Sequence, residues 1–291
     1  LLVDCGMFQG PREIRSRNWD PFPVPPADVA SVILSHAHLD HCGYLPALVR
    51  DGFSGPVHCS PNTARLAAII LRDSARLQEE DTAFARRKGF SRHAQPRPLY
   101  GTEDAEQAIS QLVPVAFGAG FTPVDGTVAR LDPAGHILGS SITTITEEST
   151  GRVVVFSGDL GRGNHPLLAP PAPPCSASAI VIESTYGDRE HEDVEAEMDQ
   201  MAAAITRTLK RGGTVVIPAF AVDRTEVLLK ALRTLQDQQR IPTAPIHVDS
   251  PMALAGLRVY AVAIAGGAPE IGTATIAEGV RAIDLPNLHE A

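Results

Sequence analysis

Residues 31–41 read SVILSHAHLDH, an apolar strand that runs directly into His36, His38, Asp40 and His41. No other stretch of the chain limits the fold so tightly. At a strand end, residues two apart point to one side, so His36 and His38 converge on one point. The turn that follows carries Asp40 and His41 to a neighbouring one. A hydrogen bond in the core explains a single histidine on an apolar face. Four such groups at one strand-to-loop junction are costly to bury without a metal. Imidazole nitrogens with a carboxylate oxygen suit zinc, and leave coordination positions open for water.

Two later segments have the same form, an apolar strand ending in one polar group among glycines. LDPAGHILGSS (131–141) presents His136, and VVVFSGDLGR (153–162) presents Asp159. Glycine lets backbone pass where a side chain would intrude.

The rest of the chain sets the frame. Its 291 residues are enough for one large or two ordinary domains. The net charge of −9 gives no global attraction to nucleic acid, so a phosphate-binding surface must be local or carried by metal ions. Cys5, Cys42, Cys59 and Cys175 form no CxxC pair and read as reduced, mostly buried thiols of a cytoplasmic protein. No apolar run reaches membrane-spanning length. The opening LLVDCG reads as already inside a buried strand, with N-terminal strand(s) missing.

In the first half, 31–36, 55–60, 127–132, 141–146 and 152–159 read as strands. A long helix capped by Asn62 runs over 63–89. After the Pro-rich stretch 166–178 the style changes. Strands at 179–184, 214–220 and 244–250 alternate with helices at 194–213, 224–238 and 252–264, which implies parallel pairing. From Gly266 onward no pattern is clear.

Taken together, Asp4 of LLVDCG, the histidine cluster at 36–41, His136 and Asp159 resemble the motif series of the metallo-β-lactamase fold, an αββα sandwich. That resemblance implies two zinc ions (Zn2+). His36, His38 and His136 would bind one, Asp40 and His41 would help to bind the second, and Asp159 would bridge both. Asp4 would orient ligands without binding metal. IESTYGDR (182–189), PAFAVDRTEVLL (218–229) and HVDSPMA (247–253) resemble stretches of the β-CASP nucleases. These include RNase J enzymes and the pre-mRNA 3′-end-processing endonuclease; LRDSARLQEEDTAFARRKGFSRH and GHILGSS look most like the bacterial and archaeal relatives of that endonuclease.

The fold expected is therefore α/β: a lactamase sandwich over 1–190 and a partial inserted β-CASP domain over 191–291. The family expects two further late histidines. Only His247 and His289 stand late here, neither in the expected motif, so the chain reads as a fragment lacking its C-terminal lactamase segment.

The function implied is a zinc-dependent ribonuclease. It would hydrolyse phosphodiester bonds of single-stranded RNA by a metal-activated hydroxide, in RNA processing or decay. Cleavage would be endonucleolytic, with 5′→3′ exonucleolytic action as a further mode. Asp40 and Glu183 are the catalytic candidates. Arg224, Ser184, Thr185 and Tyr186 are the substrate-contact candidates, although a surface arginine and a tight turn explain them as well, and Asp223 beside Arg224 weakens a phosphate assignment. No membrane partner is expected, and a homodimer is an open option. The alternatives are a DNA-directed β-CASP nuclease and a catalytically incomplete RNA-binding subunit. His58, His93, His165 and His191 read as ordinary structural or surface residues.

Overall fold

The computed structural model describes residues 1–89, 95–188 and 194–290. His93 and His191, and the domain boundary expected after residue 190, lie outside them. The chain packs as two compact units, one of residues 1–163 and 170–182, the other of 164–169 and 183–291.

The first unit holds two sheets. One is wholly parallel, in the order β1 (Leu2–Val3), β2 (Val32–Ile33), β3 (Val57–Cys59), β4 (Leu112–Pro114). The other runs β5 (Gly120–Phe121), β6 (Thr127–Pro133), β7 (Ser141–Glu147), β8 (Val153–Phe156), β9 (Ala179–Val181). Its pairs are antiparallel except β8 with β9.

Alternation along β2 decides which layer each residue enters. Val32 and Leu34 pack with the helices α3 (Leu45–Arg50), α4 (Pro61–Lys88) and α5 (Thr102–Ser110). Ile33 packs the other way, with Ala129 and Leu131 of β6 and with Phe121. Helix, sheet, sheet is thus the layer order in this unit. Besides the short α1 (Arg12–Arg15), the helix α2 (Leu39–Cys42) follows β2 and carries Asp40 and His41.

Helix α4 forms where its apolar spacing requires, with Leu66, Ala67, Ile70, Leu71 and Ala75 buried and ion pairs such as Arg76–Glu80 on the exposed face. Its cap is Ser60, not Asn62. The Thr63 N–H donates to Ser60 Oγ at 3.1 Å, and Asn62 lies inside the first turn. At the other end Gly89 takes φ +66°, the left-handed conformation of a helix stop.

The second unit contains α6 (Val194–Lys210), α7 (Arg224–Asp237), α8 (Pro251–Ala265) and α9 (Thr273–Glu278). Its strands β10 (Ile246–Val248) and β11 (Leu288–Glu290) pair in parallel. The strand expected over 214–220 is absent, because that segment finds no ladder partner among the described residues. Val216 and Phe220 stand more than four-fifths exposed there. The tail that showed no pattern supplies α9 and β11.

Candidate metal centre

The ligand-type side chains of the first unit meet where β2 passes into α2. His36 Nε2 lies 3.0 Å from His38 Nδ1, and His136 Nε2 lies 3.2 Å from the same atom. Asp159 Oδ2 stands 3.7 Å from His36 Nε2 and 3.5 Å from His136 Nε2. These four ligand atoms fall within 4.8 Å of one another. Ligands at about 2.0–2.1 Å around a tetrahedral ion are roughly 3.3–3.4 Å apart. The cage therefore fits one ion in size and in donor chemistry.

A second set faces the other carboxylate oxygen. His41 Nε2 is 3.2 Å from Asp159 Oδ1 and 3.9 Å from Asp40 Oδ2. Asp159 thus presents Oδ2 to one group of ligands and Oδ1 to the other.

Hydrogen bonds outside the cage fix the rings. His41 Nδ1–H donates to Asp4 Oδ2 at 2.8 Å, which turns Nε2 towards Asp159, where it would be the nitrogen offered to an ion. Asp4 also accepts the Ser35 N–H at 2.7 Å and the Ser35 Oγ–H at 2.8 Å. Ser35 Oγ, its proton given to Asp4, accepts from His36 Nδ1 at 3.0 Å, so His36 Nε2 also faces inward unprotonated. Ser35 was missed from the sequence, although its place directly before His36 was a usable signal.

The loop carrying His136 is held as firmly. The His136 N–H donates to Ser140 Oγ at 3.0 Å. Ser60 Oγ–H and Thr63 Oγ1–H, at the start of α4, donate to the Gly139 carbonyl at 2.6 and 2.8 Å. Ser140 was also missed; the close Gly–Ser–Ser sequence marked the turn but not the bond.

Two glycines let the acid-bearing loops close on the histidine segments. A Cβ on Gly6 would fall 1.6 Å from the Asp40 carbonyl oxygen, and one on Gly161 would fall 1.6 Å from that of Gly135. Each glycine stands two residues after an acid, Asp4 and Asp159 respectively.

Electrostatics agree with a centre that expects a cation. Burial, reinforced by the neighbouring imidazoles, pushes His36 well below the ordinary histidine value, and His38 is lowered for the same reasons. His41 behaves oppositely: burial opposes its protonation, but hydrogen bonds to Asp159 and Asp4 outweigh that and push it up to about 10. The hydrogen bond from His41 in turn lowers Asp159.

The remaining candidates belong to the second unit. Glu183 Oε2 accepts the Thr185 N–H at 3.1 Å, and the Gly187 N–H closes a turn onto the Ser184 carbonyl at 3.1 Å. Tyr186 is exposed. Arg224 opens α7 with an exposed side chain. His247 and His289 are register partners on β10 and β11, their rings 5.2 Å apart. Cys5, Cys42 and Cys59 are buried free thiols and Cys175 is exposed. Among the described residues, no helix is long and apolar enough to cross a membrane.

Comparison with known proteins agrees with this architecture. The chain is 37% identical over 260 residues to "Ribonuclease TTHA0252" of Thermus thermophilus, covering 89% of this chain and 55% of that protein. It is 29% identical over 257 residues to "Transcription termination factor FttA" of Methanocaldococcus jannaschii, covering 86% of this chain and 38% of the relative. The protein of that name from Pyrococcus abyssi is 32% identical over 245 residues, 82% of this chain and 35% of its own length. The chain thus spans about half or less of the length of these relatives. A sequence profile described as "Metallo-beta-lactamase superfamily" matches residues 1–246. Because that match runs through both sheets and takes in every histidine of the cage, the chain belongs to the metallo-beta-lactamase superfamily.

Proposed function

We propose that the chain belongs to the catalytic region of a β-CASP ribonuclease, a zinc-dependent hydrolase acting on single-stranded RNA. The observation that carries this reading is Asp159, whose two oxygens face two ligand sets, His36, His38 and His136 on one side and His41 with Asp40 on the other. That arrangement suits a pair of zinc ions. When bound, they would make water nucleophilic at neutral pH and neutralise the charge that develops on a scissile phosphate. The name of the Thermus relative, which is a ribonuclease, supports RNA as the substrate.

The chain's own residues do the rest. Asp4 and Ser35 hold His41 and His36 with Nε2 turned inward, where each would offer its lone pair to an ion. Asp40, half exposed on α2, would hold the second ion through one carboxylate oxygen and take the proton of the attacking water on the other. Glu183 is assigned the proton transfer to the leaving oxygen, and Arg224 a phosphate of the bound strand. Ser184, Thr185 and Tyr186 are assigned contacts to the bound strand. The reaction is placed in the cytoplasm.

The test is cleavage of a 5′-labelled single-stranded RNA by zinc-loaded protein, beside a matched DNA strand and with Asp159→Ala as control. RNA cleavage lost in the variant supports the reading. Cleavage of DNA alone moves it to a DNA-directed β-CASP nuclease. RNA bound but left uncut, in a protein that takes up no zinc, moves it to an RNA-binding subunit.

A further inference from the structure

Asp223 stands at φ +68° and ψ −55°, where a residue other than glycine is strained. The Arg224 N–H donates to the Val222 carbonyl at 2.9 Å, so Asp223 is the centre of a γ-turn of the rare, positive-φ hand. Its carboxylate holds the turn in place. Tyr260 Oη–H donates to Asp223 Oδ1 at 2.8 Å, and His165 Nε2 lies 3.3 Å from Oδ1 and 3.4 Å from Oδ2. The other nitrogen of His165 fixes the tautomer. Nδ1 accepts the N–H groups of Leu167 and Leu168 at 3.2 and 3.0 Å, so the proton is on Nε2 and points to Asp223. Tyr260 is fully buried and His165 nearly so.

Two features depend on this cluster. Residues 164–169 are flanked on both sides by chain of the first unit, yet they pack within the second. This strap is bonded along its length. The Gly272 N–H donates to the Leu167 carbonyl at 2.9 Å, and the Ala169 N–H to that of Glu270 at 2.8 Å. His165 fastens its leading end to α7. The second feature is Arg224, which is exposed and makes no ion pair among the described residues. The acid next to it is engaged with Tyr260 and His165 instead. That keeps the carboxylate from pairing with Arg224 and leaves the guanidinium open to a phosphate.

We propose that Asp223 is a positioning residue whose carboxylate clamps the strap through His165 and holds the strained turn that keeps Arg224 turned outward and unpaired. The functional half rests on the reading of Arg224 as a contact to an RNA phosphate. Glycine separates the two roles of Asp223. It adopts φ +68° without strain, but it has no carboxylate. Asparagine keeps one acceptor oxygen and the size of aspartate, so it bears the same backbone strain while losing only the charge.

The experiment compares Asp223→Gly, Asp223→Asn and Arg224→Ala with the parent in the full chain. Binding of a labelled single-stranded RNA is measured over a range of salt, and amide exchange is followed at Leu167 and Leu168. Asp223→Gly is expected to speed exchange at both amides about tenfold, as loss of a charge-assisted hydrogen bond does. It should also weaken RNA binding and lower the salt slope by about one, to the level of Arg224→Ala. Asp223→Asn should recover most of both effects. A purely structural role would lower thermal stability without changing the slope.

Unchanged exchange in Asp223→Gly overturns the clamp. Unchanged binding in Asp223→Gly, where Arg224→Ala weakens it, overturns the positioning of Arg224. Unchanged binding in Arg224→Ala overturns the phosphate contact itself. That failure is distinguishable because the exchange measurement involves no RNA.

Discussion

Asp4 Oδ2 lies 2.8 Å from His41 Nδ1, and Asp4 reaches it from a left-handed backbone conformation at φ +60°. The same carboxylate accepts two bonds from Ser35. Asp4→Asn exchanges one acceptor oxygen for an amide nitrogen while tolerating the backbone. Metal affinity is expected to fall about 10–100-fold with the fold retained, the usual effect of removing a partner that orients a ligand. Titration of zinc against a competing chelator measures this. An unchanged affinity would mean that Asp4 does not orient His41.

Chelation should lower the melting temperature of the first unit. Metal at 100 times its Kd adds about 2.7 kcal/mol to the stability of a folded protein that binds it at one site. Calorimetry with and without zinc checks this. Asp159→Ala should lose most of the increment, since Asp159 serves both ligand sets. Equal responses in parent and variant would remove Asp159 from the ligands.

His58 gives an acid sensitivity that is independent of the metal. Its ring packs 4.8 Å from that of Phe121, neither nitrogen has a partner among the described residues, and burial lowers its pKa from 6.5. A base whose folded pKa is depressed loses stability as pH falls below the unfolded value. His58→Leu is therefore expected to gain stability over the parent at pH 5 compared with pH 8, in urea melts of the metal-free protein. A difference independent of pH would contradict this.

Glu226 gives the opposite slope. It is fully buried in the first turn of α7, against Gly256 of α8, and neither oxygen has a hydrogen-bond partner of good geometry. Burial, with the charge of Asp223 added, pushes the carboxyl up from 4.5 to about 8 despite the pull of nearby backbone N–H groups. The folded state then binds the proton more tightly than the unfolded state, so stability falls as pH rises from 4.5 to about 8. Glu226→Gln should remove that slope and stabilise the second unit at pH 7 by a few kcal/mol, on the order that such a shift implies. Thermal melts at pH 5 and pH 8 give the comparison.

Local signals carried much of this protein. The histidine cluster was legible because a strand end imposes a two-residue repeat, and α4 because its apolar residues recur at helical spacing. The cap of α4 was misplaced by two residues, since Asn62 and Ser60 are both good caps and only Ser60 also reaches the Gly139 carbonyl. Ser35 and Ser140 escaped notice because a hydroxyl's partners are set by tertiary approach. The segment 214–220 has strand composition, yet composition does not supply a neighbour to pair with. β11 has only three residues, and it forms because β10 lies alongside.

Gly6 and Gly161 give the centre a fixed calibre. Where two backbones touch with no side chain between them, neither a rotamer change nor repacking of the core can alter the spacing. The gap between the acid loops and the histidine segments is then set by the thickness of the peptide unit alone. Drawing the acid loops any closer to the histidine segments would force peptide against peptide. The two glycines therefore act as a stop that sets how far the centre can contract around an ion.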